Sequence, residues 1–482
     1  MNKRMILYIL STILLIEAAF MLLPLAVAAI YREAAGWYFL YTILGTALLG
    51  LLLRVLARPK NKTIYAKDGL ITVALSWIVL SLVGALPFTL SGEIPSYLDA
   101  VFETISGFTT TGSSILPDIE ALSRCMLFWR SFSHWLGGMG VLVFMLALFN
   151  LEGGQAIHLL RAESPGPTVS KMVPHMADST KILYGIYLAL TVLQVLFYLA
   201  GGMPLFDSLC HTFGTAGTGG FSVKAASMGA YSYYAQSVTT VFMILFGVNF
   251  SIYFFLLRRK LDLVYKKTEL RWYLIIILAS IALITVNVLP QFSSFSDALH
   301  HSAFAVSSII TTTGFCTVDF NRWPEFSRVI LVLLMFVGAC AGSTGGGLKV
   351  SRVVILVRTA QMELRRLVHP RTVKVMMIDG KSVSSETIRA VSGYFMLYVL
   401  VLVLVLSVLL VSLDNFDTST TFTAVVATFN NIGPGLGMVG PVGNFAQFSA
   451  LSKIVLCLDM LFGRLELYPM LILMLPGTWR KN

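Results

Sequence analysis

Long hydrophobic runs separated by short polar segments dominate this chain of 482 residues. A helix of about 20 apolar residues is long enough to cross the roughly 30 Å hydrocarbon layer of a bilayer. The pattern therefore predicts an all-α integral membrane protein, and we interpret the first run as a retained helix rather than a cleaved signal. Ten runs are long enough to be transmembrane helices, namely 5–30, 36–56, 69–91, 125–150, 181–202, 232–257, 272–290, 326–357, 387–413 and 447–475.

Four shorter apolar segments, too brief to span, lie between pairs of these runs, at about 95–108, 204–216, 295–310 and 415–429. Each leads into a short motif that contains a central glycine. Because a long apolar run follows every motif, we predict four re-entrant pore loops, each held between two spanning helices. The motifs are Thr109-Thr110-Thr111-Gly112-Ser113, Gly217-Thr218-Gly219-Gly220-Phe221, Thr311-Thr312-Thr313-Gly314-Phe315 and Asn430-Asn431-Ile432-Gly433-Pro434.

The spacing of these motifs indicates a repeat. Their central glycines are separated by 108, 94 and 119 residues, which fits a unit of helix, pore loop and helix. Glycine lets the backbone adopt conformations that a Cβ would forbid, and a ring of carbonyl oxygens can replace the hydration shell of a cation. The neighbouring threonines can add hydroxyl oxygens as further acceptors. We therefore interpret the four motifs as one ion-selectivity filter.

Basic residues are unevenly distributed along the chain. Placing both termini and the linkers near 54–67, 151–181, 258–271 and 349–389 on one face collects 27 of the 35 Lys and Arg residues there. Cytoplasmic loops are enriched in these residues, so this face is predicted to be cytoplasmic. The net charge of +11 then reflects topology and not nucleic-acid binding. Half of the 24 acidic residues, among them Glu33, Glu103 and Glu120, fall on the opposite face, where they either attract cations to a pore mouth or only solvate the loops.

Side chains that carry chemistry form no recognisable catalytic set. The five cysteines are scattered without CxxC spacing, so we predict buried free thiols. The adjacent His300 and His301 fall in a predicted pore-loop segment, where packing is the simpler explanation. We therefore predict that the chain is not an enzyme and that the only metal it handles is a transported cation.

The eighth run contains a cluster of glycines. Each glycine costs a helix about 1 kcal/mol relative to alanine, and irregular backbone inside a membrane is tolerated only where it is buried in protein or lines water. We predict a break that acts as a gate below the filter, with a close-packing glycine patch as the alternative. A phosphate-binding loop fits less well, because Leu348 separates Gly347 from Lys349. The predicted gate residues are Gly338, Gly342, Ser343, Thr344, Gly345, Gly346, Gly347 and Lys349.

Arg464 lies well inside the last apolar run. An arginine at the bilayer centre costs at least about 2.5 to 3.5 kcal/mol on insertion scales, so it should face a pore or a charged partner. A pore-facing guanidinium would set a barrier to cations. A structural ion pair with Glu466 or Asp459 is the competing explanation.

These motifs together resemble the Trk-type potassium uptake proteins of the Trk/Ktr/HKT superfamily, and the resemblance covers essentially the whole chain. The runs 5–30 and 36–56 are similar to the extra helical pair of the TrkH/TrkG branch. The resemblance implies K⁺ as the transported ion, a gate in the interrupted run and a pore-lining Arg464. The ion-coordinating residues that it implies are Thr110, Thr111, Gly112, Thr218, Gly219, Gly220, Thr312, Thr313, Gly314, Asn431, Ile432 and Gly433.

The resemblance also implies an organisation and a set of partners. An N-terminal helix pair at 1–62 precedes four pore units, at 63–165, 166–265, 266–375 and 376–482. The protein would be a homodimer in the bacterial cytoplasmic (inner) membrane, regulated by a cytosolic TrkA-like subunit. A nucleotide, NAD(H) or ATP/ADP, is expected on that subunit and no cofactor on this chain. Anionic lipid is the alternative partner of the basic loop 358–389.

Selectivity and ion coupling stay open at this level. Gly112 favours potassium, because relatives with serine there tend to carry sodium, whereas the fourth motif replaces the threonines with Asn430, Asn431 and Ile432. The alternatives are a Na⁺- or H⁺-coupled K⁺ symporter and a weakly selective monovalent cation channel. Coupled transporters usually show two-fold repeats, whereas this chain shows a four-fold one.

Overall fold

The computed structural model describes residues 2–59, 64–140, 176–370, 375–412 and 414–479, and almost all of the predicted basic linker 151–181 lies outside them. Helices dominate the described residues. Six helices are long and apolar enough to cross a membrane, or seven if one sharply bent pair counts as a span. The six are Lys3–Tyr31, Gly36–Leu56, Ala66–Ser91, Lys181–Ala200, Thr268–Gln291 and Ser385–Val411.

These six helices coincide with the first, second, third, fifth, seventh and ninth predicted runs. Their apolar surfaces are not all used for packing. Only 22% of the most apolar window of Gly36–Leu56 is buried, and only 33% of that of Ser385–Val411. Leucines such as Leu400 and Leu404 point away from the protein. Because apolar side chains are stable in hydrocarbon, this exposure is typical of helices that face lipid.

The other four predicted runs are not single long helices. The fourth begins as a helix, and its described part ends at Gly140, whereas the sixth bends by 91°. The eighth and tenth are each divided into two helices. The observed helices are Arg124–Met139 in the fourth run, Tyr233–Phe246 and Phe250–Leu257 in the sixth, Glu325–Val337 and Val350–Val368 in the eighth, and Ala450–Arg464 and Tyr468–Met474 in the tenth.

A break was predicted in the eighth run only. The break in the sixth run follows from Asn249, whose side chain accepts the amide of Ser251 and so begins a new helix. The break in the tenth run lies just before the helix Tyr468–Met474. Pro469 is in the first turn of that helix, where the fixed φ of proline is favourable. Local capping residues therefore override a continuous apolar pattern.

Four shorter helices lie inside the fold, and each ends at or within one of the glycine motifs. We call them the motif helices. The first packs against Arg124–Met139 and Ala450–Arg464, so it joins the first repeat to the last. Their inner halves are almost entirely buried, which places the motifs in the protein core. The motif helices are Tyr97–Phe108, Leu205–Gly217, Phe295–Ile310 and Thr418–Phe429.

A small β-hairpin adds to the predicted all-helical fold. Its strands Met377–Ile378 and Lys381–Ser382 pair antiparallel across Asp379 and Gly380, which have φ of 53° and 74°. Positive φ at both turn residues is typical of a tight two-residue hairpin.

The bounds of the individual α-helices complete the description. The long ones are Lys3–Phe20, Ala66–Gly84, Met176–Ala200, Thr268–Val288 and Ser385–Val411. The remaining short α-helices are Leu22–Tyr31, Leu86–Ser91, Leu261–Tyr265 and Pro476–Trp479.

The hairpin is tied to the start of the seventh run. Asp379 accepts the amide of Thr268 at 2.7 Å and the ammonium of Lys267 at 2.9 Å. Partial burial acts to raise the pKa of Asp379, but these hydrogen bonds outweigh it and bring the pKa below its ordinary value. The five cysteines are free and buried, as predicted.

Candidate ion-conduction site

Each motif helix directs its carboxyl end at a glycine motif. Ser96, Ser294 and Asp417 each accept the amide three residues ahead, which satisfies free N–H groups at three amino ends. At the other end, the free carbonyls and the negative end of the helix dipole lie beside the motif, where they favour a cation. The helices end at Phe108, Gly217, Ile310 and Phe429.

The four motifs share one backbone conformation. The central glycines all have positive φ, from 76° at Gly220 to 99° at Gly433. Left-handed backbone costs a residue with a Cβ roughly 1–2 kcal/mol, so its recurrence at equivalent positions indicates that the fold imposes one shape on all four motifs. The residues two places before the glycines are left-handed, with φ of 57° at Thr110, 56° at Thr218, 58° at Thr312 and 54° at Asn431.

The motifs meet in a closed ring. A Cβ built on each central glycine would press on the carbonyl oxygen of the residue just before the central glycine of the next motif, and the fourth motif returns to the first. The overlap would be smallest at Gly433, where the added Cβ would lie 2.9 Å from the Thr111 carbonyl oxygen. We call these residues the glycine ring. The pairs are Gly112 with Gly219, Gly220 with Thr313, Gly314 with Ile432 and Gly433 with Thr111.

Threonine hydroxyls around the glycine ring are hydrogen-bonded within the protein. The hydroxyl oxygens of Thr109 and Thr111 lie 2.7 Å apart. Those of Thr311 and Thr313, the equivalent pair in the third motif, lie 2.8 Å apart. The hydroxyls thus link the first and last residues of each Thr-Thr-Thr sequence. Their role as additional acceptors in the ring stays a prediction.

His134, on the helix Arg124–Met139, occupies the space behind the second motif. Its Nδ1 lies 2.7 Å from the carbonyl oxygen of Gly107, a contact that requires the proton on Nδ1. Its ring centroid is 4.2 Å from that of Phe221. A Cβ on Gly219 would overlap the imidazole. This overlap explains why the second motif has glycine where the first and third have threonine, and sequence reasoning missed it because His134 belongs to the preceding unit.

The two asparagines of the fourth motif join it to its neighbours. The Asn431 amide donates to the Thr111 hydroxyl at 2.8 Å and to the Met460 carbonyl at 3.0 Å. The side-chain amide oxygen of Asn430 accepts a hydrogen bond from the Tyr398 hydroxyl at 2.7 Å. The departure from threonine therefore gives the fourth motif a side-chain contact with the first, across the point where the ring closes.

The non-helical segment 338–349 lies against the glycine ring. The amide of Gly346 donates to the hydroxyl of Thr312 at 2.6 Å, and a Cβ on Gly345 would lie 2.9 Å from the Thr311 carbonyl oxygen. A Cβ on Gly346 would overlap the Asn430 carbonyl oxygen, so neither Gly345 nor Gly346 has room for a side chain. Positive φ recurs along the segment, with values of 71° at Gly338, 71° at Gly342, 74° at Gly347 and 74° at Lys349.

The 338–349 loop is also bonded to the break in the sixth run. Cys340 donates its amide to the carbonyl of Gly247 at 3.0 Å, and Gly342 accepts the amide of Phe250 at 3.0 Å. The Thr344 hydroxyl donates to the carbonyl of Phe246 at 3.3 Å. The two interrupted runs therefore satisfy each other's free backbone groups, as irregular backbone away from water must.

Arg464 reaches across the space beside the ring and the loop. One guanidinium nitrogen donates to the Thr344 carbonyl at 3.1 Å and to the Thr110 hydroxyl at 3.3 Å. The other donates to the carbonyls of Gly137 and Gly138, the latter at 3.0 Å. One side chain of the fourth repeat thus contacts the first repeat and the 338–349 loop together.

Other charged groups near the loop have identifiable partners. Lys349 is buried and donates to a carbonyl within the loop. Glu466, a candidate partner of Arg464 by sequence, forms an ion pair with Arg352. Asp459, the other candidate, lies 2.6 Å from the Thr428 hydroxyl. The carboxylates are therefore engaged by groups that the sequence analysis did not identify.

Glu103 was expected among the acids of the outer face, but it is buried in an ion pair. Its Oε1 lies 2.5 Å from Nε of Arg130, with both side chains at most 2% exposed. Arg130 also donates to the Ser222 carbonyl at 2.9 Å and covers the Phe221 ring at 3.5 Å. The pair joins the first motif helix to the second motif, so Glu103 holds the ring and does not attract ions from solution.

Several other outer acids also stabilise the loops. Glu33 accepts the amides of Arg124 and Cys125 at 2.8 and 2.9 Å, at the start of a helix. Glu120 stays exposed, and the hydrogen bond from Lys224 lowers its pKa. These contacts hold Glu33 and Glu120 within the loops, a role that neither of the two explanations for the outer acids included.

We predict that Gly219→Thr lowers the free energy of unfolding by about 1–3 kcal/mol, because overpacking a filled site costs this much. Thermal unfolding of the purified protein in detergent measures the change. The double variant Gly219→Thr/His134→Ala should be more stable than the sum of the single variants implies, since the new side chain fills the space of the imidazole. The control is Gly185→Thr, on an open helix surface. Additive effects would contradict the proposed contact.

Comparison with known proteins gives this geometry a family. The profile of the TrkH family, described as cation transport protein, matches residues 38–478. The Trk system potassium uptake proteins TrkH of Salmonella typhimurium (strain LT2) and Vibrio parahaemolyticus are each 37% identical over 100% of both chains. The crystal structure of the potassium transporter TrkH from Vibrio parahaemolyticus superposes with a TM-score of 0.89, at 35% identity and 100% coverage of both chains. The chain therefore belongs to the TrkH family of cation transport proteins.

Proposed function

We propose that this protein is a potassium uptake channel or transporter subunit whose selectivity filter is the glycine ring. The closed ring is the observation that carries the proposal, because a backbone carbonyl oxygen from each of the four motifs lies against the central glycine of a neighbouring motif. Such a ring replaces the hydration shell of a cation, and four helix carboxyl ends add negative potential. Relatives named as potassium uptake proteins support K⁺ as the ion.

We infer a layout of ten spans and four re-entrant loops around this filter. The N-terminal pair 1–62 precedes pore units at 63–165, 166–265, 266–375 and 376–482. In each unit a motif helix is followed by a run that is not a single long helix in the described residues. The basic linkers support cytoplasmic termini in a bacterial inner membrane.

The 338–349 loop is the proposed gate. Its direct contacts with Thr311 and Thr312 place it against the third motif, and Lys349 brings a positive charge to the same place. A cation leaving the filter on this side would have to displace the loop. Glycines make that displacement possible, because they accept many backbone conformations.

Arg464 is the proposed barrier on the ion path. Its donors engage carbonyls of Gly138 and Thr344, from the first repeat and the gate. Its charge would repel a cation, and its hydrogen bond to Thr344 would hold the gate closed. Its contacts with Thr110, in the first motif, and with Thr344, in the proposed gate, are the observations that favour a pore arginine over a purely structural role.

The cytoplasmic side is the proposed regulatory surface. Helix Val350–Val368 begins at the end of the loop and carries Arg365 and Arg366 in its last turn, both exposed. A TrkA-like subunit, with NAD(H) or ATP/ADP bound to it, could move this helix and so the loop. A homodimer and contacts of the basic residues with anionic lipid complete the proposal.

For the filter, we predict that Gly112→Ser lowers the K⁺/Na⁺ permeability ratio, because its side chain would displace the Gly219 carbonyl. Reversal potentials under bi-ionic conditions measure the ratio in bilayers. The control is Gly92→Ser, since Gly92 also has positive φ, of 78°, but faces open space. It should cost stability without changing selectivity. Equal ratios in both variants would exclude Gly112 from the filter.

For the gate, deletion of Gly345, Gly346 and Gly347 should raise the uptake of Rb⁺ into liposomes without any cytosolic partner. The reason is that the deletion removes the segment in contact with Thr311 and Thr312. Uptake is normalised to protein that elutes as a single species in detergent. Unaltered uptake by such folded protein would mean that the segment only packs between helices.

For the barrier, Arg464→Ala should increase normalised K⁺ uptake, and Arg464→Lys should stay near wild type because the positive charge survives. A structural role predicts a different result: alanine would leave the carbonyls around Arg464 without donors and reduce the yield of folded protein, with no gain per molecule. A lower normalised uptake in the alanine variant would rule out the barrier.

A further inference from the structure

One side chain holds both ends of the 338–349 loop. Glu269, in the first turn of helix Thr268–Val288, accepts the amide of Ala341 at 2.7 Å and that of Ser351 at 3.1 Å. Ala341 lies in the first part of the loop, and Ser351 lies just after it. Both amides donate to the same oxygen, Oε1. The carboxylate therefore closes the backbone between residues 341 and 351 into a compact loop.

The two amides are suitable partners for a carboxylate. Ser351 is the second residue of helix Val350–Val368, so its N–H is one of the amides that a helix leaves free at its start. A negative charge at this end of a helix is favourable, and hydrogen bonds to a charged acceptor are about twice as strong as those between neutral groups. The contact thus restrains the loop more than one ordinary hydrogen bond would.

The residues just before Glu269 are held from the cytoplasmic side. Asp379 of the hairpin accepts the amide of Thr268 and the ammonium of Lys267. Residues 267–269 therefore contact the hairpin with two positions and the loop with the third. A displacement of the hairpin would act on Glu269 through a single peptide unit.

We propose that Glu269 is a positioning residue that clamps the 338–349 loop beneath the glycine ring, and that the Asp379 hairpin is the cytoplasmic element that sets this clamp. The inference rests on the proposed role of the loop as a gate. It adds the group that keeps the gate closed and the route by which a cytoplasmic event releases it.

The clamp matters because the loop is rich in glycine. Glycine loses more conformational freedom on ordering than any other residue, and a loop whose ends are held together has already lost part of that freedom. Removing the Glu269 side chain restores this conformational freedom. The hydrogen bond from Gly346 to Thr312 must then hold the loop against the ring without the restraint from Glu269. The population of loops that leave the ring should rise.

The test uses the full-length protein with two measurements. The first is Rb⁺ uptake by liposomes without a cytosolic partner. The second is the rate at which a membrane-impermeant maleimide labels Cys340, a buried thiol within the loop, in a background where the other four cysteines are alanine. Labelling reports loop exposure and does not depend on conduction.

Glu269→Ala should raise both the uptake and the labelling rate of Cys340 by roughly tenfold or more, since two hydrogen bonds to a charged group are lost. Glu269→Gln should stay within a few-fold of wild type, because both amides use one oxygen and glutamine keeps a carbonyl oxygen there. The matched control is Glu386→Ala, an exposed acid in the first turn of another helix, which should change neither. Asp379→Ala should give an intermediate increase.

Wild-type labelling of Cys340 in Glu269→Ala would overturn the clamp, and so would a glutamine variant that behaves like the alanine one. If Glu269→Ala yields no folded protein, Glu269→Asp replaces it, because the shorter side chain cannot reach both amides and should also expose Cys340. The deletion of Gly345, Gly346 and Gly347 separates this proposal from the previous one. Raised uptake in the deletion without any effect of Glu269 would leave the gate standing and remove the clamp.

Discussion

The fold depends on four contacts in which a glycine without a Cβ lies against a carbonyl oxygen of the next repeat. Such contacts have no side chain that could adjust, so the backbone must be held from behind. The motif helices, the Glu103–Arg130 ion pair, the His134 imidazole and the Asn431 amide all serve this purpose. Each of these groups joins two repeats or two elements. The ring is therefore a property of the whole assembly and not of any one motif.

A second requirement is that positive charges near the ring remain satisfied away from water. Burial of a charge is costly unless hydrogen bonds and partners compensate it. Lys349 and Arg464 donate largely to backbone carbonyls, whereas Arg352 pairs with Glu466. The broken helices supply the free carbonyls that this arrangement needs. Irregular backbone and buried cations thus stabilise each other, and neither would be tolerated alone.

Sequence patterns predicted the long helices well, because a helix in lipid must be apolar over a fixed length. The repeat spacing also grouped four motifs that lie side by side in the structure, since each of Gly112, Gly220, Gly314 and Gly433 lies against the next motif. The breaks in the sixth and tenth runs were not predicted, because they depend on single residues such as Asn249. The burial of Glu103 was missed as well. Its partner Arg130 lies on the next helix, and spacing alone gives no sign of such a pair.

The repeats lie in one chain, and this allows each quadrant of the ring to differ. Arg464 lies in the fourth repeat and the 338–349 loop lies in the third. In an assembly of four identical subunits, any such group would appear four times. Four guanidinium groups around a narrow axis would repel one another. Four copies of the loop would compete for the same space. A single polypeptide removes this obstacle. Under the proposed function, it closes its pore with an off-centre device that a symmetric tetramer could not accommodate.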